Sequence, residues 1–390
     1  MVHAEERSAV AQRAAEALEA RAESGPMPKA LIGFDGFIDE IIHVVGRRRS
    51  MKGDDFERIA TIPEFAARAA AASGRSANIE MYVREVRFGG NAPLMGGAMG
   101  RLGAVVDFIG AVGQKEDHTK LDPLFQPFAD RCRSVRPLAR PGHTDALEFS
   151  DGKLMLGKAQ TVQEVTWERI KEVVGLAKMT ELGEEADIIG VTNWVMLGGV
   201  EGIWAGLRDE VFPKLSDRPR RVVVDLSDPA KRSDEAISRA MGVLRSLNEK
   251  APVTLGLNLA EAQRVASVSG LTVFDESRSY SLGKLVREAA GQLRETLGLD
   301  GVVVHPREGA GAADSTGAAW FEGPFTANPK LSTGAGDHFN GGFAFARAIG
   351  LGIEESLAVG CAVSGAYVRD AKSPDLTRVV AFLRDLPSSE

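Results

Sequence analysis

The chain has little cysteine: Cys132 and Cys361 are the only two in 390 residues. Neither belongs to a C-x-x-C pair, so the sequence offers no zinc or dithiol motif. Two cysteines also cannot form the disulfide framework of a small secreted domain. The six histidines show no metal-ligand spacing either. These absences favour a reducing compartment, and we expect a cytoplasmic location.

Long apolar runs and excess positive charge are also missing. No apolar run approaches the ~18 residues that indicate a membrane-spanning helix. The first 23 residues are rich in Ala and Glu and lack the apolar core of a signal peptide. The net charge is −7 and the isoelectric point about 5.6, whereas nucleic-acid and membrane binding usually need a basic surface. We therefore expect neither a nucleic acid nor a membrane as a partner.

What the sequence does contain is a series of short Val- and Ile-rich segments that alternate with helical patterns. The predicted buried strands are 29–34, 104–110, 186–191, 221–226, 253–258 and 301–305. The predicted helices of this part are 91–102, 199–214, 233–247, one from about 259, 335–349, 353–369 and 375–384. This alternation predicts an α/β fold with a doubly wound, mostly parallel sheet covered by helices on both faces.

Two further parts are predicted outside that sheet. Residues 1–28 form an N-terminal helical extension, with an exposed or peripheral helix over 4–22, and residues 29–390 form the main domain. A strand over 78–88, a hairpin over 143–157 and a helix over 62–74 predict a small β-lid. The lid is expected to come from segments near 36–88 and 133–157.

Ligands of open α/β sheets bind beyond the carboxyl ends of the strands. The segments that follow the predicted strands are therefore the first candidates for a site. They are GFDGFIDE, VTNW, DLSDP, LNLAE and HPREGAGA.

A further candidate lies at the start of the helix over 335–349. Gly334, Ala335 and Gly336 precede Asp337, which lies in the first helical turn. A helix N-terminus has unpaired N–H groups and partial positive charge, and small residues let a phosphate approach the backbone. Asp337 is then placed to accept a proton from an attacking hydroxyl. A simple helix cap with an acid in its first turn is the alternative.

Three motifs bear on this choice. STGAGDHFNGGF (332–343) contains the turn, RFGGNAPLMGGAMGRLGA (87–104) contains a Gly-Gly-Asn segment, and LNLAEA (257–262) contains an N-x-x-E pattern. In type, order and spacing they resemble the ribokinase-like, or PfkB, carbohydrate kinase family. The resemblance covers roughly residues 29–385. The first two motifs are specific to the family, whereas the N-x-x-E pattern is weak and supports the resemblance only in their presence.

The resemblance implies roles for the phosphoryl-transfer side of the site. Asp337 would be the catalytic base, and Gly334, Ala335 and Gly336 would form the anion hole for the γ-phosphate of ATP. Asn258 and Glu261, at the N-x-x-E motif, would organise Mg²⁺ and its waters near the nucleotide phosphates. Without the resemblance, Asn258 and Glu261 read as the capped start of a helix.

The resemblance also implies substrate contacts. Gly89, Gly90 and Asn91 would contact the sugar. The family carries a sugar-binding acid just past the first strand, and this chain has two candidates, Asp39 and Asp35. Asp39 matches the family position better, whereas Asp35 lies nearer the strand end.

Two of the departures from the family pattern concern candidate site residues, and a third is the long segment between the first strand and the Gly-Gly-Asn motif. Leu331 stands where many relatives carry an acid six residues before the base, which argues against activation by a monovalent cation. Arg307 stands where a glycine is expected after the strand over 301–305. The nucleotide-binding candidates there are Arg307, which can clamp a phosphate, and Gly309.

Two histidines near these positions have no predicted role. His338 lies beside the base, and we expect His305 to be a satisfied polar group.

Together these features predict an ATP-dependent sugar kinase that acts on a hydroxymethyl group of a sugar or sugar-like alcohol. The first alternative is a nucleoside kinase of the same family, because Trp194 or Phe37 can stack on a base; Asn193 beside Trp194 is a further substrate-binding candidate. The second is a non-catalytic sugar- or nucleotide-binding relative. A homodimer through the lid is also expected, because lids of the family often pair.

Overall fold

The computed structural model describes residues 2–275 and 280–388. Its strands are β1 Lys29–Phe34, β2 Phe37–Arg48, β3 Phe56–Arg58, β4 Met81–Gly89, β5 Val105–Gly110, β6 Ser134–Pro137, β7 Gly142–Glu148, β8 Lys153–Lys158, β9 Ile188–Val191, β10 Arg221–Asp225, β11 Val253–Leu257, β12 Gly301–Val304, β13 Gly309–Asp314 and β14 Gly317–Glu322. Its α-helices are α1 Val2–Ser24, α2 Ile62–Ala70, α3 Asn91–Arg101, α4 Gln126–Ala129, α5 Trp167–Val173, α6 Leu176–Glu185, α7 Val200–Gly206, α8 Asp234–Asn248, α9 Leu259–Val268, α10 Leu282–Leu297, α11 Ala335–Ala348, α12 Ile353–Asp370 and α13 Leu376–Arg384.

The main sheet has nine strands in the order β14-β13-β12-β11-β10-β9-β1-β5-β6. The seven strands from β12 to β6 run parallel, and β13 and β14 add an antiparallel edge. The chain winds outward from β1 to β5 and β6, and then returns to β9 and winds the other way. This reversal beside β1 is a topological switch point, where ligands of such sheets bind.

Alternate residues of the strands pack on opposite faces of the sheet, as the pleat requires. Leu31 faces the apolar layer under helices α7 to α10, whereas Ala30 and Ile32 face the layer under α3, α11 and α12. Both faces are thus covered by helices, which confirms the predicted doubly wound fold.

The N-terminal helix α1 packs one side against the other end of the chain. Val10, Ala11, Ala14 and Leu18 on one side of α1 are buried in the layer that also contains residues of α12 and α13. These residues recur at three- and four-residue intervals, so they form one apolar stripe. Of the two expectations, a peripheral helix fits and a fully exposed one does not, and the sequence carried no sign of the packing because the partners of this short, alanine-rich stripe lie at the other end of the chain.

The lid is a separate five-stranded sheet of β2, β3, β4, β7 and β8. Its central strand β2 pairs antiparallel with β4 and parallel with β7, and β7 and β8 form the predicted hairpin. Helix α2 covers one lid face, where Phe65 contacts the buried Phe149 ring. The second lid segment begins at β7 and not at residue 133, because β6 pairs with β5 in the main sheet.

Candidate active site

The predicted base lies at the switch point, in the first turn of α11. Asp337 is 7 % exposed, and its Oδ1 accepts a hydrogen bond of 2.8 Å from Asn91 Nδ2. Asn91 is the first residue of α3, 246 positions earlier in the chain. The Gly-Gly-Asn motif and the GAGD motif, separated in sequence, are thus adjacent in the structure.

Asn91 is itself fixed by an acid that follows β1. Its backbone N–H donates to Asp35 Oδ2 at 2.9 Å, and the N–H of Ala92 donates to Asp35 Oδ1 at 2.7 Å. Asn193 Nδ2 also donates to Asp35 Oδ2, at 2.7 Å. Asp35 is fully buried, so both its oxygens serve protein donors. Burial raises the pKa of the Asp35 carboxyl, and these hydrogen bonds oppose the shift.

This arrangement does not fit direct sugar contacts by Asp35 or Asn193. Asn193 is buried, with a backbone φ of 63°, and its Oδ1 accepts from the N–H of Met196 at 3.2 Å. Its side chain therefore links the loop after β9 to Asp35. The geometry makes Asp35 and Asn193 positioning residues for Asn91, and Asp39 remains the predicted sugar-binding acid.

Asp39 lies on lid strand β2, beside Arg87 on β4 and Thr144 on β7 in the same row of the sheet. The carboxyl is 6 % exposed. Burial raises the pKa of Asp39, and the positive charge of Arg87 partly opposes this rise. A Cβ on Gly89 would lie 2.4 Å from Asp39 Oδ2, so position 89 has room only for glycine while Asp39 keeps its place. The structure thus brings Asp39 and the Gly-Gly-Asn segment together.

The turn before α11 is shaped by Gly334, which caps the helix with a φ of 87°. A side chain here would be strained, and its Cβ would lie 2.9 Å from Leu94 Cδ1 and 3.8 Å from Asp337 Oδ2. Gly336, in the first helical turn, faces the His305 ring, whose Cε1 would lie 3.4 Å from an added Cβ. The turn therefore consists of small residues, has Asp337 Oδ2 beside it, and includes N–H groups of Gly336 and Asp337 that helix geometry leaves unpaired.

The N-x-x-E pair forms the capped start of α9. Asn258 Oδ1 accepts from the N–H of Glu261 at 3.0 Å, and Glu261 Oε2 accepts from the N–H of Asn258 at 2.8 Å. Glu261 Oε1 also accepts from the N–H of Asp228 at 3.0 Å. Burial raises the pKa of Glu261, and the charge of Asp228 adds to the shift. The capping role and a role toward a metal-bound water are compatible, since carboxylate oxygens accept more than one hydrogen bond.

Asp225 is a site residue that the motifs did not identify, although it begins the DLSDP segment. It ends β10, is nearly buried and accepts a 2.7 Å hydrogen bond on Oδ2 from Asn340 Nδ2, one turn after the base. Burial, with the charge of Glu261, raises the pKa of Asp225 to about 8. Burial, followed by the charges of Asp225 and Asp35, raises the pKa of Asp337 well above its usual value. The signal for Asp225 was its position at a strand end.

The remaining predicted site residues either lie away from Asp337 or are buried in the protein. Arg307 lies on the exposed turn between β12 and β13, with its guanidinium 5.1 Å from the Phe325 ring centroid, and Gly309 begins β13. Among the described residues, no hydrogen bond or ring contact joins Arg307 or Gly309 to Asp337 or its hydrogen-bond partners, so their nucleotide-binding role stays a prediction.

Trp194 and Phe37 are both buried. Stacking of either ring on a nucleobase, which the nucleoside-kinase alternative requires, is therefore not supported.

His305, which follows β12, is not the satisfied polar group that was expected. Its ring contacts that of Phe339 at a tilt of 32°, with centroids 4.8 Å apart, and its buried Nε2 has no hydrogen-bond partner among the described residues. Burial lowers the pKa of His305 to about 4, so the ring is neutral at ordinary pH.

No helix among the described residues is long and apolar enough to cross a membrane. Across residues 2–275 and 280–388, no three His, Cys, Asp or Glu side chains are arranged to bind a metal ion directly.

Comparison with known proteins agrees with this geometry. The model of the prokaryotic ketohexokinase family matches residues 4–386. A curated ketohexokinase from Haloferax volcanii is 32 % identical over 371 residues, which cover 94 % of this chain and 93 % of the relative.

Solved structures show the same fold at lower identity. The ribokinase of Thermotoga maritima is 18 % identical with a TM-score of 0.59, and covers 92 % of this chain and all of its own. The phosphofructokinase-2 of Escherichia coli is 16 % identical with a TM-score of 0.60, and covers 92 % of this chain and 99 % of its own. A ribokinase from Arabidopsis thaliana, determined with ribose and ATP, is 16 % identical with a TM-score of 0.58, and covers 92 % of this chain and 99 % of its own.

The family match spans nearly the whole chain and the curated relative exceeds 30 % identity, so the relation extends beyond the fold. It confirms the predicted carbohydrate kinase and disfavours the nucleoside-kinase and non-catalytic alternatives. The chain is therefore a member of the prokaryotic ketohexokinase family, with the ribokinase-like fold and the activity of an ATP-dependent sugar kinase.

Proposed function

We propose that the substrate is a ketohexose and that the γ-phosphoryl group of ATP is transferred to one of its hydroxymethyl groups. The curated relative that shares 32 % of its residues is named a ketohexokinase. The observation that carries the proposal is the 2.8 Å hydrogen bond from Asn91 to Asp337. It joins the turn expected to hold the sugar to the carboxylate expected to accept the hydroxyl proton.

Asp337 acts as the general base in this proposal. Asn91 occupies only Oδ1, which leaves Oδ2, beside the Gly334 turn, for the substrate hydroxyl. A base works best when its pKa lies near the working pH, and the raised pKa of Asp337 moves it in that direction. Asn91 keeps the carboxylate oriented while a proton is held at Oδ2.

The turn of Gly334, Ala335 and Gly336 supplies the anion hole. The Ala335 N–H donates to the carbonyl oxygen of Ser332 at 3.2 Å, whereas the N–H groups of Gly336 and Asp337 are ones that helix geometry leaves unpaired. The small residues let a phosphate approach these N–H groups, and the helix dipole adds positive potential where negative charge develops. Phosphoryl transfer depends mainly on positioning and charge stabilisation, and both are available at this turn.

The residues around Asp225 and Glu261 fit a divalent cation bound through water. Burial and the charge of Glu261 raise the pKa of Asp225, and burial and the charge of Asp225 raise the pKa of Asp337. Burial also raises the pKa of Glu261. Glu261, capped by Asn258, would orient water ligands of Mg²⁺. Mg²⁺, when bound, supplies positive charge beside the nucleotide phosphates.

Asp39, with Gly89, Gly90 and Asn91, binds the sugar hydroxyls in this proposal. An ionised carboxylate accepts hydrogen bonds from two adjacent hydroxyls, whereas an amide both donates and accepts. Asp39 lies on the lid and Asn91 on the main domain, so the sugar would be enclosed between them.

We further propose a homodimer through the lid and a cytoplasmic location. The outer lid strands expose Met81, Val83 and Val86 on β4 and Met155 and Leu156 on β8, an apolar group that a second lid would cover. Analytical ultracentrifugation of the wild type and of Val86→Lys tests this: a monomeric wild type would refute the dimer. The free thiols of the two cysteines suit a reducing compartment.

A coupled ADP-release assay with ATP and Mg²⁺ tests the substrate. Ketohexoses, aldohexoses, pentoses, sugar phosphates and nucleosides are compared at equal concentration, with Asp337→Asn as the control for contaminating kinases. We expect the highest kcat/KM for a ketohexose, and ³¹P-coupled NMR of the product then identifies the hydroxymethyl group. A tenfold preference for any other class would refute the proposed substrate but not the kinase activity.

A further inference from the structure

The histidine that follows the base has a defined structural environment. His338 is fully buried, and its Nδ1 lies 2.7 Å from the carbonyl oxygen of Gly334. Its Nε2 lies 2.9 Å from Ser373 Oγ, in the segment after α12. Both ring nitrogens are therefore engaged, one of them with the residue that begins the anion hole.

These partners fix the protonation of the ring. A carbonyl oxygen can only accept, so Nδ1 must carry the proton that is donated to Gly334. Nε2 is then unprotonated and accepts from the Ser373 hydroxyl. Burial lowers the pKa of His338 to about 4, which agrees with a neutral ring that has this single tautomer.

Tyr367 on α12 holds the ring and the same turn. Its ring stacks on that of His338 with centroids 3.6 Å apart and an interplanar angle of 16°. Its hydroxyl donates to the carbonyl oxygen of Thr333 at 2.8 Å. The two successive carbonyls of Thr333 and Gly334 are thus each held by a side chain of a different helix.

The orientation of the Gly334 carbonyl is tied to that of the Ala335 N–H group, because the peptide unit is planar. That N–H donates to the carbonyl oxygen of Ser332 at 3.2 Å, so the bond from His338 Nδ1 holds the other end of the same peptide. Glycine at position 334 imposes little restraint of its own on that plane. Without the bond to His338 Nδ1, the helical bond from the N–H of His338, at 3.0 Å, would be what remains on that oxygen.

We propose that His338 is a positioning residue that preorganises the anion hole by fixing the Gly334 peptide, with Tyr367 and Ser373 holding its ring and tautomer. The inference rests on the proposed role of the Gly334–Gly336 turn. It gives a function to a residue for which the sequence suggested none.

The test separates the hydrogen bond from the ring. His338→Phe keeps an aromatic ring beside Tyr367 but removes the donor, whereas His338→Asn removes the ring but can place an amide N–H where Nδ1 lies. Loss of one anion-hole donor costs about 10²–10³ in kcat, and loss of its support costs less. We expect kcat of the Phe variant to fall roughly 5- to 50-fold, with KM for ATP and sugar within about twofold.

His338→Asn should recover at least about a third of the wild-type kcat if donation to Gly334 is what matters. Leu293→Ala, a buried change on the remote helix α10, provides a control that loses stability without touching the turn. A role in packing alone would lower the Tm of both His338 variants and of Leu293→Ala while leaving kcat below the melting temperature unchanged. Equal kcat for His338→Phe and the wild type would overturn the inference.

Tyr367→Phe keeps the proposal testable if His338→Phe does not fold, because it removes one hydroxyl and retains the stacked ring. We expect a drop in kcat of roughly 3- to 20-fold with unchanged KM, and an unchanged kcat would overturn the model of the turn. The wild-type rate on its best sugar, measured in the same assay, tests the proposed function separately. A wild type that phosphorylates a sugar beside unimpaired variants refutes only the positioning role.

Discussion

Replacement of Asp337 by Asn should lower activity and raise the stability of the ligand-free protein at the same time. The substitution conserves size, and the amide oxygen still accepts from Asn91 Nδ2. It removes the proton acceptor, which typically contributes about 10²–10⁴ in rate. We therefore expect kcat to fall at least roughly a hundredfold, while ATP binding measured by calorimetry persists.

The gain in stability follows from electrostatics. Burial, with the charges of Asp225 and Asp35, raises the pKa of Asp337, so ionisation of the folded protein is costly. Relief of such a buried charge contributes roughly 1–3 kcal/mol. With an unfolding entropy of about 2.1 cal/mol/K per residue, the 390 residues give roughly 0.8 kcal/mol/K. The Tm of the Asn variant should then rise by about 1–4 °C at pH 8.

The expected gain in Tm of the Asn variant depends on pH. A carboxyl whose folded-state pKa is raised contributes its full stability below the unfolded pKa, about 3.9, and loses it as pH rises through the folded value. Asn does not titrate, so the advantage of the variant should be near zero at pH 4 and grow toward pH 8.

Differential scanning fluorimetry in EDTA across this range, without nucleotide, measures the effect. Asp375→Asn is the matched control. Asp375 also lies at the start of a helix, as its N-cap, but its side chain is exposed, and Asn is as good an N-cap residue as Asp. A near-native kcat would refute the assignment of the base. An advantage of equal size at pH 4 and pH 8 would refute the electrostatic argument.

Three further outcomes are expected. Glu261→Gln should raise the Mg²⁺ concentration for half-maximal activity more than the sugar KM, because Glu261 acts toward metal-bound water; an unchanged metal titration would leave it a capping residue. Asp39→Ala should lower kcat/KM for the sugar by roughly 10- to 150-fold with ATP affinity intact. Asp35→Ala should chiefly lower Tm, because Asp35 holds Asn91 and the start of α3. A larger kinetic loss for Asp35→Ala and a larger loss of Tm for Asp39→Ala would contradict the assignment of Asp39 to the sugar and of Asp35 to the fold. With Leu331 in place of an acid, rates in potassium and Tris buffers of equal ionic strength should agree, and tenfold activation by potassium would show that other oxygens complete a cation site.

Much of the fold could be predicted because its central strands are short, continuous Val and Ile runs bounded by turns. The strand pair β13 and β14 was not predicted, since GAGAAD and GAAWFE contain mainly Ala and Gly, which have low strand propensity. The second lid segment was placed too early for a related reason: β6, with the sequence SVRP, gives no sign of which sheet it joins. Local pattern identifies a strand better than it identifies the partner.

The motif residues of the site could be predicted, but the side chains that support them could not. Asp225 reaches Asn340 across 115 positions, and His338 reaches Ser373 across 35. Neither pair has a characteristic spacing, because each is brought together only when α11 packs against the sheet and α12. The Asp35 example shows the converse: a carboxylate at the expected strand end is a natural ligand candidate, and only the bonds to Asn91 and Ala92 show that its oxygens are already occupied.

The same packing explains why this site concentrates acids that destabilise one another. Asp35, Asp225 and Asp337 follow or face different strands at the switch point, so each is carried there by a separate element. Burial first, and then the charges of neighbouring acids, raise the pKa of Asp225 and Asp337 in the ligand-free protein. A divalent cation bound beside these carboxylates would relieve that cost. Since Asn91 contacts both Asp35 and Asp337, the sugar turn and the base can respond to this change together.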